Sequence, residues 1–388
     1  MHVPKILLVT RRFWPFTDDS CQRLMHHCAA LKRNGADVTL LTARWHPNWP
    51  EFALCREVPV YRLLPAPSTN WNENHFQKNV VSWISKSIAK FDCIYVDRAD
   101  GLLSTLQGKS SKWNKPIIAR FSPDDSGFGL SNSQKISQLA MADACRRCFR
   151  IVCPTPHAHR LLISQGVSDS QIVRIADIAW AGVTRSEEVK ASAAHALFET
   201  CSDFVTPGRT DILVHLGLSE LKPLRAVLQS VCDQLDAGAM LRMWVIGSGI
   251  PLNALHDLIK SRGWHREILL FDGFDDLQEL IRVADLAIAS NSKETLQYSL
   301  QMLAQAGVPM IVADSPDCRA WLPDSNSFQL YSTNQIFDLK LQDWLSNRER
   351  WTSMASSLRQ NLRRAKFSDD CAQQWLTLFR DSSIERTA

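Results

Sequence analysis

At 388 residues, with 45% hydrophobic and 22% charged side chains and a net charge of +4, the chain has the composition of an ordinary soluble globular protein, long enough for two or three domains. No run approaches the roughly twenty apolar residues of a membrane-spanning helix, and the opening apolar run, Ile6 to Val9, is followed by arginines without a small-residue cleavage site, so it reads as a first strand rather than a signal peptide. Eleven scattered cysteines, an odd number, fit a reduced cytoplasmic compartment better than a disulfide framework.

Charge is divided unevenly. Residues 1–178 carry 23 Lys and Arg against 14 Asp and Glu, a net of +9, and the remainder carries 21 against 26, a net of −5. A basic first half suits an anionic acceptor or the cytoplasmic membrane surface, whereas charges that are not blocked together also suit a plain solvated surface. No nucleic-acid partner is expected.

In chain order, residues 5–10 read as a buried strand, 13–20 as a loop, 21–34 as an amphipathic helix closed by Gly35, and 38–42 as a second strand. That is the opening of a doubly wound sheet. Asp18, Asp19 and Ser20 stand where they can cap the helix that follows; alternatively, a carboxylate there orients an acceptor hydroxyl or binds a cationic sugar. Residues 45–74 are rich in Trp, Pro and Asn with little periodicity, and are expected to form a long excursion with one short strand at 58–64. Trp45, Trp49 and Trp71 can pack a core or stack on sugar rings.

A helix over 76–90 precedes strands at 93–96 and 116–119, the second ending at Arg120. This guanidinium can bind a phosphate or carboxylate, or pair with Asp124 or Asp125, but it stays protonated and cannot act as a base. Cys145 and Cys148, with Cys153 and His157 beyond, have metal-type spacing without a second Cys pair to complete a tetrahedral site. They read as buried thiols, and no metal is expected. A helix over 157–163 closing at Gly166 and a strand at 172–175 end the first half, and residues 179–209 are a polar, alanine-rich connector with a helix.

The second half repeats the doubly wound pattern. A strand at 212–216 ends in Gly217 and is followed by Lys222 and, a helical turn later, Arg225; Lys222 either holds a phosphate or caps a solvated loop. A strand at 243–246 runs into Gly247-Ser248-Gly249, whose glycines permit close backbone approach, and a strand at 268–271 runs into Asp272-Gly273-Phe274. The stretch Asp285 to Val312 then reads as a strand, the polar turn Ser290 to Lys293, a helix from Glu294 with Leu296, Leu300 and Leu303 on one face, a stop at Gly307 and Pro309, and a further strand. In an open parallel sheet, the loop leaving a strand's carboxyl end and the helix start after it attract anions. Glu294 stands there. Terminal helices over 342–380 carry Trp344, Trp351 and the apolar face Trp375-Leu376-Leu378-Phe379.

These residues resemble the motifs of family 4 glycosyltransferases, the large retaining GT-B family. Asp285, Glu294, Gly307 and Pro309 fall at the spacing of its donor-site segment, with Ser290-Asn291 in place of a Pro-Ser and Met302, beside Gln301, in place of a second glutamate. The family's Gly-Gly pair before the first helix corresponds to Asp18-Asp19, its histidine near the reacting sugar to Arg120, and the arginine of its diphosphate clamp to Leu218, while the clamp lysine is present as Lys222. Matching segments run in order over nearly the whole chain.

The resemblance implies an α/β GT-B fold of two facing Rossmann-like doubly wound domains with an interdomain cleft. Residues 1–178 would be the acceptor side, 179–210 a linker, 211–365 the nucleotide-sugar donor domain, and 366–388 a helix packing back on the first domain. It implies a hexosyltransferase-type glycosyltransferase of polysaccharide biosynthesis that moves a sugar from a nucleotide diphosphate to a hydroxyl of a glycan or lipid-linked glycan, with retention and without cofactor or metal. Glu294, Arg120 and Asp19 are then the candidate catalytic residues. Lys222 and the N–H groups of Thr295, Leu296 and Gln297 would stabilise the leaving diphosphate, with Arg225 replacing the missing arginine. Gly217, Gly247, Gly249 and Phe274 would line the nucleotide, and Gln301 would reach the ribose. Such an enzyme would be cytoplasmic, peripheral at the inner face of the membrane. The replacements Asp18-Asp19, Arg120, Leu218 and Met302 support the alternative, a GT-B protein that has lost catalysis and serves as a binding or scaffolding partner.

Overall fold

The computed structural model describes residues 3–16, 19–122, 134–177, 185–205, 208–215, 221–246, 252–271, 277–289, 297–315, 318–319, 329–364 and 367–384. The chain divides into two compact units. The first comprises Met1–Trp14, Arg23–Ile178 and Ser368–Ala388, and the second Pro15–Gln22 and Ala179–Phe367.

The first unit is built on strands β1 (Lys5–Val9), β2 (Asp37–Ala43), β3 (Phe52–Cys55), β4 (Val58–Leu63), β5 (Cys93–Val96), β6 (Ile117–Arg120), β7 (Arg150–Cys153) and β8 (Ile172–Arg174), in the order β3-β4-β2-β1-β5-β6-β7-β8. All pairs are parallel except β3 with β4. A parallel strand covered on both faces must be apolar throughout, and Ile6, Leu7, Leu8 and Val9 are all buried. Alternation sorts them. Leu7 and Val9 pack with Phe76, Val80 and Ile84 of helix Asn70–Ser87. Ile6 and Leu8 pack with Leu24, Met25 and Leu31 of helix Asp19–Arg33 and with Trp375, Leu376 and Phe379 of the closing helix Phe367–Ile384. The Trp375 ring lies 5.0 Å from Tyr95 and 4.7 Å from His27, so this apolar face completes the first unit's core.

The Trp-rich excursion differs from expectation. It holds a hairpin rather than a single strand, because Arg56 and Glu57 both take left-handed backbone (φ 47 and 67) in the two-residue turn between β3 and β4. Asn-Gly usually marks such a turn, and Arg-Glu gives no signal of it. Helix Asn70–Ser87 also begins earlier than expected, its free N–H groups met by Thr69, whose hydroxyl accepts from Asn72 N–H at 3.2 Å. Trp45 packs against the core and donates to the Arg11 carbonyl at 2.8 Å, whereas Trp71 is 67% exposed.

The second unit holds β9 (Thr210–His215), β10 (Leu241–Ile246), β11 (Ile268–Phe271), β12 (Leu286–Ala289), β13 (Met310–Ala313) and β14 (Leu330–Tyr331), in the order β11-β10-β9-β12-β13-β14 with every pair parallel. Leu213, Trp244 and Ala287 face the helices Glu187–Thr200, Gln278–Val283 and Gln297–Ala306, and Ile212, Val245 and Ile288 face Leu221–Asp236, Leu252–Ser261 and Asn334–Ser346. The expected connector therefore contributes Ala193 and Leu197 of its helix to this core. Gly307 (φ 71) supplies the left-handed residue that closes helix Gln297–Ala306.

Candidate functional site

In the second sheet the chain moves from β9 outward through β10 and β11 on one side, and from β12 outward through β13 and β14 on the other. The carboxyl ends of β9 and β12 thus flank a topological switch point, the position at which open parallel sheets bind ligands. Gly217 follows β9, Gly247 and Gly249 follow β10, Phe274 follows β11, and Glu294, Thr295 and Leu296 lie between β12 and helix Gln297–Ala306. These seven positions are outside the described residues. Lys222 is in the first turn of helix Leu221–Asp236, and Arg225, about one turn further on, is exposed. Gln297 opens its helix; one turn on, Gln301 is 6% exposed, and Met302, at 1%, belongs to the apolar core.

Within the same unit, the Asp19 carboxylate accepts hydrogen bonds from the N–H of Tyr298 at 3.2 Å and of Ser299 at 2.6 Å, and from the Ser299 hydroxyl. Tyr298 and Ser299 belong to the first turn of helix Gln297–Ala306, where N–H groups have no partner inside the helix. A carboxylate there is favoured by hydrogen bonding and by the helix dipole. Capping is thus the observed behaviour, but the capped helix is not the one that Asp19 begins. Asp18 lies outside the described residues.

A second group of charges forms at the carboxyl ends of the first sheet. Arg120 ends β6, Asp97 follows β5, and Asp177 lies beyond β8. Arg120 donates from Nε to Asp177 Oδ1 at 3.0 Å and from Nη2 to Oδ2 at 2.9 Å. Arg23 donates to Asp97 at 2.5 Å and stands 3.8 Å from Asp177, and the Tyr95 hydroxyl donates to Asp97 at 3.3 Å. None of the four charged side chains is more than 7% exposed. Burial alone would raise the Asp177 carboxyl, but the Arg120 and Arg23 guanidinium groups outweigh it and hold its pKa below the ordinary value. Burial likewise opposes the Arg23 charge, and Asp97 and Asp177 overcome it. Two cations thus face two carboxylates in a region that excludes water.

Among the described residues Arg120 pairs with Asp177, a partner not expected from the sequence; the expected partners, Asp124 and Asp125, lie outside the described residues. Arg23 and Asp97 were not singled out by motif. The available signal was a charged residue placed directly after an apolar strand, as Asp97 follows Cys93–Val96.

Cys145, Cys148 and Cys153 are buried, and burial pushes the Cys145 and Cys153 thiols up to about 12. Cys148 accepts from the Gln107 amide at 3.2 Å. Among the described residues, no group of three or more His, Cys, Asp or Glu is placed to hold a metal ion, and no helix is long and apolar enough to cross a membrane.

Two doubly wound parallel sheets in one chain define an α/β protein of the GT-B fold, the two Rossmann-like domain architecture of many glycosyltransferases. HepE from Anabaena, solved in complex with UDP and glucose, matches 98% of this chain and 100% of its own with a TM-score of 0.74 at 12% identity. Sucrose-phosphate synthase from Thermosynechococcus elongatus matches 97% of this chain and 98% of its own, with a TM-score of 0.76 at 12% identity. WaaG, a glycosyltransferase involved in lipopolysaccharide biosynthesis, matches 96% and 99%, with a TM-score of 0.68 at 12% identity. No protein-family model and no curated protein sequence matches the chain.

Proposed function

We propose that the protein is a glycosyltransferase that takes a nucleotide-diphosphate sugar as donor and transfers the sugar, with retention, to a hydroxyl of a glycan or lipid-linked glycan. The observation that carries this reading is the order of the second sheet, in which β9 and β12 flank the switch point where open parallel sheets bind ligands, and the motif residues Gly217 and Lys222, Gly247 and Gly249, and Glu294 come after β9, β10 and β12 in the chain. The full-length fold likeness to HepE, whose structure contains UDP and glucose, supports it.

In this reading residues 211–365 are the donor domain and residues 1–178 the acceptor side. The Lys222 ammonium and the N–H groups of Thr295, Leu296 and Gln297 offset the negative charge that develops on the leaving diphosphate, without a bound metal or cofactor. Arg225 assists in place of the arginine replaced by Leu218, Glu294 faces the donor sugar, and Gln301 serves the ribose. The enzyme works in the cytoplasm, where the net +9 of residues 1–178 favours the anionic inner face of the membrane.

A second reading, a GT-B protein without catalysis that serves as a binding partner, is favoured by the Asp19 carboxylate seated on the Tyr298 and Ser299 N–H groups, close to where a diphosphate would sit. The test is release of nucleoside diphosphate from a panel of nucleotide sugars by wild type and Glu294→Gln. Turnover with one donor that falls at least about a hundredfold in the variant supports the transferase. Absence of turnover by folded protein across the panel, with acceptor glycans present, refutes it.

A further inference from the structure

A cavity of about 270 Å³ lies in the second unit at the amino-terminal ends of β12 and β13, marked by Asp285 and Pro309, at the sheet edge opposite the proposed donor site. One wall is helix Arg348–Arg364, which lines it with Arg348, Thr352, Ser356 and Arg359. That spacing places two guanidinium groups and two hydroxyls along one helix face. From the other side come Arg185 and Lys190, both fixed by Asp285: Lys190 Nζ is 2.5 Å and Arg185 Nη2 3.6 Å from its Oδ1, while its Oδ2 accepts the Asp211 N–H at 3.1 Å.

Four cations therefore meet two carboxylates, Asp285 and Glu187, in this cavity. The local excess of positive charge is notable because residues 179–388 carry 26 acidic against 21 basic side chains. Arg348 rests on the Trp344 ring at 4.9 Å and donates one hydrogen bond, to Thr210 Oγ1 at 2.7 Å. Its fork of five N–H donors has capacity beyond that bond, and forked guanidinium groups match the oxygens of a phosphate. A volume of about 270 Å³ has room for a small anion.

We infer that this cavity binds a phosphate dianion, held between Arg348 and Arg359 on one side and Arg185 and Lys190 on the other. Its source is either inorganic phosphate or a monosaccharide phosphate, with Thr352 and Ser356 within the same lining to bond the sugar.

The test is isothermal titration of the full-length protein at fixed ionic strength with inorganic phosphate and, separately, with glucose 6-phosphate. The variants are Arg359→Gln, Thr352→Asp and Lys222→Ala, each checked for folding by circular dichroism. Thr352 is exposed on its helix, so Thr352→Asp adds a repelling charge without disturbing the core. Saturable binding of one equivalent, weakened about tenfold or more by Arg359→Gln and Thr352→Asp and unchanged by Lys222→Ala, is the expected result. The tighter of the two ligands identifies the source. Absence of saturable binding of either ligand overturns the inference, as does binding lost in Lys222→Ala and kept in Thr352→Asp, which would place the anion at the donor edge.

Discussion

Arg120 and Asp177 meet through two hydrogen bonds of 3.0 and 2.9 Å, although 57 residues separate them in the chain. Removing one member of a buried, hydrogen-bonded charge pair leaves its partner uncompensated in a low dielectric. Asp177→Asn and Arg120→Ala should each lower unfolding free energy by about 3–5 kcal/mol, read from urea denaturation. Arg120→Lys should recover only part of the loss, because an ammonium cannot make both bonds of the fork. An Arg120 that served a ligand alone would leave the denaturation midpoint of all these variants near that of wild type.

Asp19 gives two effects of opposite sign. Its carboxylate caps helix Gln297–Ala306, so Asp19→Ala should lower stability without ligand by about 1 kcal/mol. The same substitution removes a negative charge next to the expected diphosphate position, and should tighten nucleoside diphosphate binding by several-fold, measured by titration calorimetry. Weaker binding in Asp19→Ala would show instead that the carboxylate serves the donor.

Asp211 supplies a pH dependence. Burial, and then the neighbouring Asp285, push its carboxyl up to about 7. A folded-state pKa above the unfolded value means stability that is present below about pH 4 and lost as pH rises through about 7. Asp211→Asn cannot ionise. The stability of wild type relative to Asp211→Asn should therefore decline between pH 4 and 8 by an amount of order 1–4 kcal/mol. A difference that stays constant with pH, in urea denaturation at each pH, would show that Asp211 is already ionised at the low end.

Trp375 closes the core of the first unit against Tyr95, His27 and Phe379, and is 2% exposed. Trp375→Ala should destabilise the protein by about 3–5 kcal/mol, measured by chemical denaturation. A loss of less than about 1 kcal/mol would mean that the closing helix contributes little to the core.

The two sheets were legible because parallel strands buried on both faces leave unbroken apolar runs, as at Ile6 to Val9 and Leu286 to Ala289, and because Gly307 and Pro309 punctuate the helix between β12 and β13. The Arg56-Glu57 turn was not, since neither residue advertises left-handed backbone. The start of helix Asn70–Ser87 was hidden because its apolar period begins only at Phe76, and the cap at Thr69 is local polar chemistry that many loops share. Arg120 and Asp19 were visible as unusual charges at strand and helix ends, but their partners, Asp177 and the first turn of Gln297–Ala306, are brought to them by the fold and by no sequence spacing. Motif spacing suggested the proposed donor site through Gly217, Gly247, Gly249 and Lys222, while the cavity beside Asp285 depends on residues from four separated segments.

The most direct test of the donor site is thermal stabilisation by a panel of nucleoside diphosphates, on wild type, Lys222→Ala and Arg359→Gln. A nucleotide at a hundred times its dissociation constant should add about 2.7 kcal/mol to wild type and to Arg359→Gln, and far less to Lys222→Ala. No stabilisation of well-folded wild type by any nucleotide, or stabilisation that survives Lys222→Ala in full, would contradict the assignment of a nucleotide-sugar site to this edge of the second sheet.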